Sequence, residues 1–169
     1  VYDSVLAAGE AHQLRPFGML ALDSMRLEKG YRSWKADLTS DYTMLESGLV
    51  RWVNFNKEDF VGRAALKSES QAGSSREFVT LVLENPEDDG PFGEAVYLSS
   101  VVIDGADAGL VVSSGYGHRV GASIAMAVVD RKPLKCGSEI SVHVLGRPRR
   151  ATLIEGHVLY DPANTKMKG

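Results

Sequence analysis

Between Ala21 and Tyr42 the chain carries Asp23, Arg26, Glu28, Arg32, Trp34, Asp37 and Tyr42 around one glycine, Gly30. A planar guanidinium grips a carboxylate or the acceptor edge of a heterocycle through paired donors, and an indole or phenol stacks on a flat ring. The same spacing suits a plainer arrangement, an ion network of Asp23, Arg26 and Glu28 on a helix surface, and from spacing alone that arrangement is the commoner one. A second cluster is SSGYGHRVG, Ser113 to Gly121. Two glycines bracketing Tyr116 allow a tight strand connection that presents Tyr116, His118 and Arg119 to a cleft, or a turn whose ring is simply solvated. Glu46, in MLESGL, can cap the adjacent backbone, hold Arg26 or face water.

What is missing narrows the chemistry. There is no glycine-rich phosphate loop, no GxGxxG, no HExxH, no GxSxG and no CxxC. The histidines at 12, 118, 143 and 157 have no metal-like partner spacing, so we expect no metal site, and no residue stands out as catalytic. Cys136 is the only cysteine, which excludes an intrachain disulfide and a thiolate-rich metal site and fits a reducing compartment. The balance of 19 basic against 22 acidic side chains gives a formal charge of −3, so long-range attraction to nucleic acid or anionic lipid is not expected. The basic RPRR at 147–150 reads as a hairpin turn entering a strand. Apolar stretches such as LVVSS and SIAMAVV are too short to span a bilayer, so no membrane partner is expected.

The elements that must position these residues are of two kinds. A chain of 169 residues can bury roughly 70% of its unfolded surface, enough for a core without staples. Val1 to Gly9 reads as the last turns of a helix that starts mid-pattern, so the reading expects a piece of a longer polypeptide with part of any active site elsewhere. Pro16 to Lys29 predicts a second helix, with Leu22 and Met25 on a buried stripe, Asp23 and Arg26 paired beside it, and Gly30 just past its end. Thr39 and Ser40 can cap a short turn, Leu49 to Phe55 alternates toward extended structure, and Gly62 to Glu69 predicts a third helix ended by QAGSS. That Gly/Ser stretch is the expected boundary between domains 1–72 and 73–169.

Beyond it the period shortens. EFVTLVLE, EAVYLSS, VVIDG, AGLVVSSG, SIAMAVVD, EISVHVLG and RRATLIEGHVLY are short, β-branched and separated by Gly, Asp or Pro. In ISVHV, Ile140, Val142 and Val144 face one way and Ser141 and His143 the other, while Asp104-Gly105 is a two-residue hairpin signal. The fold class is α+β, with a helical first part followed by a small antiparallel barrel or closed sandwich.

The segments RPFGMLALDSMRLEKGYRSWKADLT, MLESGL, FVGRAAL, VVSSGYGHRVGASIAMAVV and LYDPANTKMKG run through nearly the whole chain. They resemble the carboxyl-terminal half of the folate-binding aminomethyltransferase family, the glycine-cleavage T protein, with the equivalent region of sarcosine and dimethylglycine dehydrogenases. GYRSWKADLT is closer to the dehydrogenase branch. The resemblance implies a partial folate-binding domain followed by a barrel, with tetrahydrofolate as cofactor and Arg26 helping to form its pocket. It places Glu28, Trp34, Asp37 and Glu46 at positions that support the pocket, Tyr116 and Arg119 in a loop on the cleft side, and Asn164 and Thr165 in a segment approaching the folate. The family's TPxEAGL appears as Thr43 to Leu49 with Met44 for Pro and Ser47 for Ala, so a rigid turn element is lost.

The implied function is capture of one-carbon units from N-methyl amines by tetrahydrofolate N5 as 5,10-methylenetetrahydrofolate, a flavin upstream having oxidised the amine to an iminium species. The family's catalytic carboxylate belongs to the amino-terminal part, and a flavin (FAD) would belong to an upstream domain. Expected partners are a reduced folate and a small methylated amine. Two rival readings stay open: an aminomethyltransferase served by a lipoyl carrier protein, and a non-catalytic binding or scaffolding module. The expected compartment is cytoplasmic, or mitochondrial for a eukaryotic parent.

Overall fold

Strand formation follows from β-branched runs punctuated by residues that tolerate positive φ. The computed structural model describes residues 1–84, 94–135 and 137–166, and Cys136 lies outside them. Helices α1 (Tyr2–Gly9), α2 (Met19–Glu28) and α3 (Arg63–Ala72) precede strands β1 (Arg76–Leu83), β2 (Ser100–Ile103), β3 (Ala106–Gly117), β4 (Ala122–Asp130), β5 (Ile140–Val144) and β6 (Arg147–Leu153). The strands close a fully antiparallel barrel in the order β1-β4-β3-β2-β5-β6, sealed where Leu81 pairs with Leu153. Closure leaves no unpaired edge. Asp104-Gly105 joins β2 to β3 with φ of 51° and 83°, the left-handed pair that a two-residue hairpin demands. Among the described residues no helix is long and apolar enough to cross a membrane.

Two apolar clusters share the same strands. Val79, Leu81, Val101, Val111, Ala125, Ala127, Val129 and Val142 fill the barrel interior. Phe78, Val112, Ile124, Met126 and Val128 point outward from the alternate positions of β1, β3 and β4 and close over Leu27 of α2. Because both faces of β4 are covered, SIAMAVV is a continuous apolar run rather than an alternating one. β5 has one covered face and alternates as expected.

Four expectations change. Helix α2 begins at Met19, after an extended Gly18, and its buried residues are Leu27 and Glu28, whereas Leu22 and Met25 are 44% and 46% exposed. Among the described residues, the end of the helix is what β3 and β4 bury, which leaves the stripe exposed. Leu49 to Phe55 forms a 3-10 turn (Val50–Trp52) instead of extended chain, because its amides bond locally, Trp52 N–H to Leu49 O and Val53 N–H to Val50 O, with no strand alongside. EAVYLSS contributes only its last serine to a strand. Ser99 Oγ accepts from the Val96 amide and the Ser99 amide donates to Val96 O, a local turn that competes with ladder pairing. Finally, α3 continues to Ala72 before Gly73 stops it at φ 85°.

Candidate functional site

The site begins where α2 lies across β3. Gly115 and Gly117, expected to bracket a turn, are inside β3, and the turn follows them at His118–Gly121. A Cβ on Gly115 would meet Leu27 Cδ1 at 2.9 Å, and one on Gly117 would meet Ile124, Val120 and Glu28 side-chain atoms at 2.7–3.0 Å. The glycines thus clear space for a helix at close range. Ser24 Oγ donates to Tyr116 O, tying helix to strand.

That docking commits Arg26. Its Nε donates to Asp23 Oδ1 at 2.6 Å, Nη1 to Asp37 Oδ2 at 2.8 Å and Nη2 to Ser113 Oγ at 2.9 Å. Asp37 is fully buried and also accepts from the Ser33 amide, which holds the corner after Gly30. Trp34 sits on that corner and is 76% exposed. Glu28 is buried too: Oε1 accepts from the Arg119 and Val120 amides at 2.5 and 3.1 Å, while its carbonyl accepts from Leu159 and Tyr160. The returning tail is then latched, with Arg119 over the Tyr160 ring at 5.7 Å and Lys29 Nζ donating to Asp161 O. Thr165 donates its amide and hydroxyl to Asp161 Oδ1.

Glu46 belongs to a separate group. Its carboxylate accepts from the Thr43 amide, from Ser75 Oγ and from Arg76 Nε and Nη2, so the arginine it holds is Arg76, not Arg26. Burial would push this carboxyl up, but the hydrogen bonds from Arg76, Thr43 and Ser75 outweigh it and hold it below its ordinary 4.5. Arg76 caps the Tyr42 ring at 4.8 Å and is itself held above its usual value by the bond to Glu46.

Of the residues singled out from sequence, then, Glu28, Arg119 and Thr165 are joined through the tail, Arg26 and Trp34 through the Asp37 corner, and Glu46 stands apart. Tyr116 opens on a cleft of about 250 Å³ between α2 and β3, lined also by Asp23, Ser24, Leu27, Ser114 and His118, with Tyr116 and His118 edge to face at 5.2 Å. The Tyr116 and His118 rings can stack on a heterocycle and the Asp23 and Glu94 carboxylates can accept from its donors, while the Ser24 and Ser114 hydroxyls donate to the Tyr116 and Ala95 carbonyls. Sequence reasoning missed Arg76, Ser113, Tyr160 and Asp161 as partners. The contacts of Arg76 with Glu46, Ser113 with Arg26, Tyr160 with Arg119 and Asp161 with Lys29 each span 30 or more positions, beyond any local spacing rule, while that of Asp161 with Thr165 spans four.

Comparison with known proteins agrees with this architecture. Residues 1–57 match the GCVT N-terminal domain and residues 76–161 the glycine cleavage T-protein C-terminal barrel domain. The chain is 31% identical over 170 residues to mitochondrial dimethylglycine dehydrogenase of Mus musculus, a match covering 99% of this chain and 19% of that protein. To mitochondrial sarcosine dehydrogenase of Mus musculus it is 33% identical over 180 residues, covering 100% of this chain and 18% of that one. The solved glycine cleavage system aminomethyltransferase T from Bartonella henselae superposes with a TM-score of 0.68 at 26% identity, covering 82% of this chain and 38% of that one. The chain thus spans about a fifth of the length of the two dehydrogenases. With a closed six-strand barrel carrying α2 on its outer face and the matched domains in the same order, this chain belongs to the glycine cleavage T-protein family of folate-dependent aminomethyltransferase-like proteins.

Proposed function

We propose that this chain is the carboxyl-terminal part of the tetrahydrofolate-binding region of a dimethylglycine or sarcosine dehydrogenase-like enzyme, which captures one-carbon units from N-methyl amines as 5,10-methylenetetrahydrofolate. The observation that carries the reading is the likeness to dimethylglycine dehydrogenase over 99% of the chain, spanning both its helical part and its barrel. In this reading residues 1–72 complete a folate-binding domain whose remainder lies upstream, and 73–169 form the barrel that supports it.

The side chains fit a reduced folate in type. Tyr116, Trp34, Arg119 and Thr165 present exposed or half-exposed surface and are the proposed contacts. Arg26, Glu28 and Glu46 have their polar atoms committed to protein partners and are proposed to position the wall. The bound folate supplies the nucleophilic nitrogen that takes the carbon, and the chain contributes orientation and exclusion of water. A flavin, and the amine it serves, would belong to another part of the protein. The likeness to the Bartonella henselae aminomethyltransferase favours a second reading, a carbon donor carried on a lipoyl protein.

Calorimetric titration with a reduced folate, run on the full-length protein and on residues 1–169 alone, tests the proposal. Saturable binding by the full-length protein, with folate-dependent consumption of a methylated amine, is expected. Absence of saturable folate binding by the full-length protein overturns it, and turnover only with an aminomethyl-lipoyl carrier moves it to the second reading.

A further inference from the structure

Beside the Gly30 corner lies a pocket of about 220 Å³, bounded by Lys29–Arg32, the Gly48 turn, Arg51, the Gly156–Val158 turn, and Pro162 and Asn164 of the tail. Its charge is unbalanced. Among the described residues no carboxylate lines it, although Lys29, Arg32 and Arg51 all do. Lys29 is neutralised by the tail, with Asp161 Oδ2 at 3.7 Å. Arg32 lies flat over the Phe78 ring at 4.2 Å, and Arg51 rests on Trp52.

The orphaned atoms are specific. Arg32 Nε and Nη2 are sealed from solvent with no acceptor, and so is His157 Nδ1. Nε and Nη2 form the edge of a guanidinium that takes a carboxylate through two parallel hydrogen bonds. Gly48, at φ 66°, packs against Nη2, and a Cβ there would lie 2.6 Å from it. Leaving such donors buried and unmade is costly, and a second guanidinium beside them adds repulsion. Burial lowers the affinity of Arg32 for its proton, Asp37 opposes this and Arg51 reinforces it, while burial and then Arg32 hold His157 below its ordinary value. An acceptor bearing negative charge pairs the orphaned donors and offsets the repulsion between the two guanidinium groups.

We propose that this pocket binds the carboxylate of a small organic acid between the guanidinium groups of Arg32 and Arg51. Arg32 tilts on its stack over Phe78 to offer the Nε–Nη2 edge, and Arg51 supplies the second charge from the rim. The pocket has room for a short-chain acid. A free dicarboxylate and the glutamyl arm of a folate present the same chemistry, and only the second source rests on the folate reading above.

The test is calorimetric titration of the full-length protein with glutarate, inorganic phosphate, a reduced folate and 6-methyltetrahydropterin, which carries no carboxylate. Saturable glutarate binding is expected, weakened about tenfold or more by Arg51→Gln and by Arg32→Lys, which keeps charge but loses the planar edge. Lys67→Gln, a charge removed from α3, should leave it unchanged. Competition with glutarate by the folate but not the pterin assigns the glutamyl source, and competition by neither assigns a free acid. Arg51 is exposed at the rim, so Arg51→Gln reads the site even if Arg32→Lys disturbs folding. No saturable glutarate binding, equal affinity in both arginine variants and wild type, or tighter binding of phosphate than of glutarate overturns the proposal. Folate affinity that survives such a failure leaves the folate reading standing.

Discussion

Arg26 shows how a residue that looks poised for a ligand can be consumed by its own fold. Its three nitrogens reach one neighbour on the helix, one carboxylate in the next corner and one serine of the barrel. Removing it strands Asp37, whose side chain is fully buried. Breaking a buried pair from one side costs about 3 kcal/mol or more. Arg26→Ala should therefore lower the unfolding free energy, read from a shifted denaturant midpoint, by that order, and adding Asp37→Asn should recover part of the loss. An unchanged midpoint with weakened folate binding would instead make Arg26 a ligand contact. The Asp23 partner was legible in the sequence because three positions on a helix bring side chains together. Asp37 and Ser113, 11 and 87 positions away, were not.

At the scale of elements, the barrel depends on glycine where two backbones converge. Gly109 of β3 faces Val129 of β4, and a Cβ there would collide with the Val128 carbonyl and lie 2.7 Å from Val129 Cα. Backbone cannot yield as a side-chain tip can. Gly109→Ala is expected to cost about 2–3 kcal/mol as overpacking, read as a lowered thermal midpoint, whereas Gly115→Ala, facing only the end of Leu27, should cost less. Strand positions were readable from composition and from the Asp104-Gly105 signal. The two-sided burial of β4 could be anticipated from its unbroken apolar run. EAVYLSS and Leu49 to Phe55 misled because alternation marks a strand only where a ladder partner exists, and pairing is a long-range property.

For the molecule as a whole, pH integrates these sites. Glu46 is held below its ordinary 4.5, so its contribution is complete above that value and is lost as pH falls through the lower folded value. His157 is held below its ordinary 6.5, so the unfolded chain takes up a proton first, and stability declines as pH falls from about 6.5 toward the folded value. Unfolding free energy measured across pH should thus fall in two stages on the acid side. His157→Asn, which tolerates the positive φ at that position, should flatten the first stage, and Glu46→Gln the second. A profile unchanged in both variants would contradict the geometry.

Composition, periodicity and motif spacing alone determined that helices precede a small antiparallel barrel, that β5 alternates, that α2 stops before Gly30, and that the chain resembles the aminomethyltransferases. These properties are written in neighbouring residues, through backbone preference and the period of burial. Tertiary structure alone decided that Arg26 is spent on Asp37 and Ser113, that Glu46 takes Arg76, that the tail returns to the end of α2, and that Arg32 is left with two sealed donors. Those outcomes depend on which distant side chains closure of the barrel brings within 3 Å or so of one another, and hydrogen-bond geometry is too short-ranged to be inferred from order along the chain.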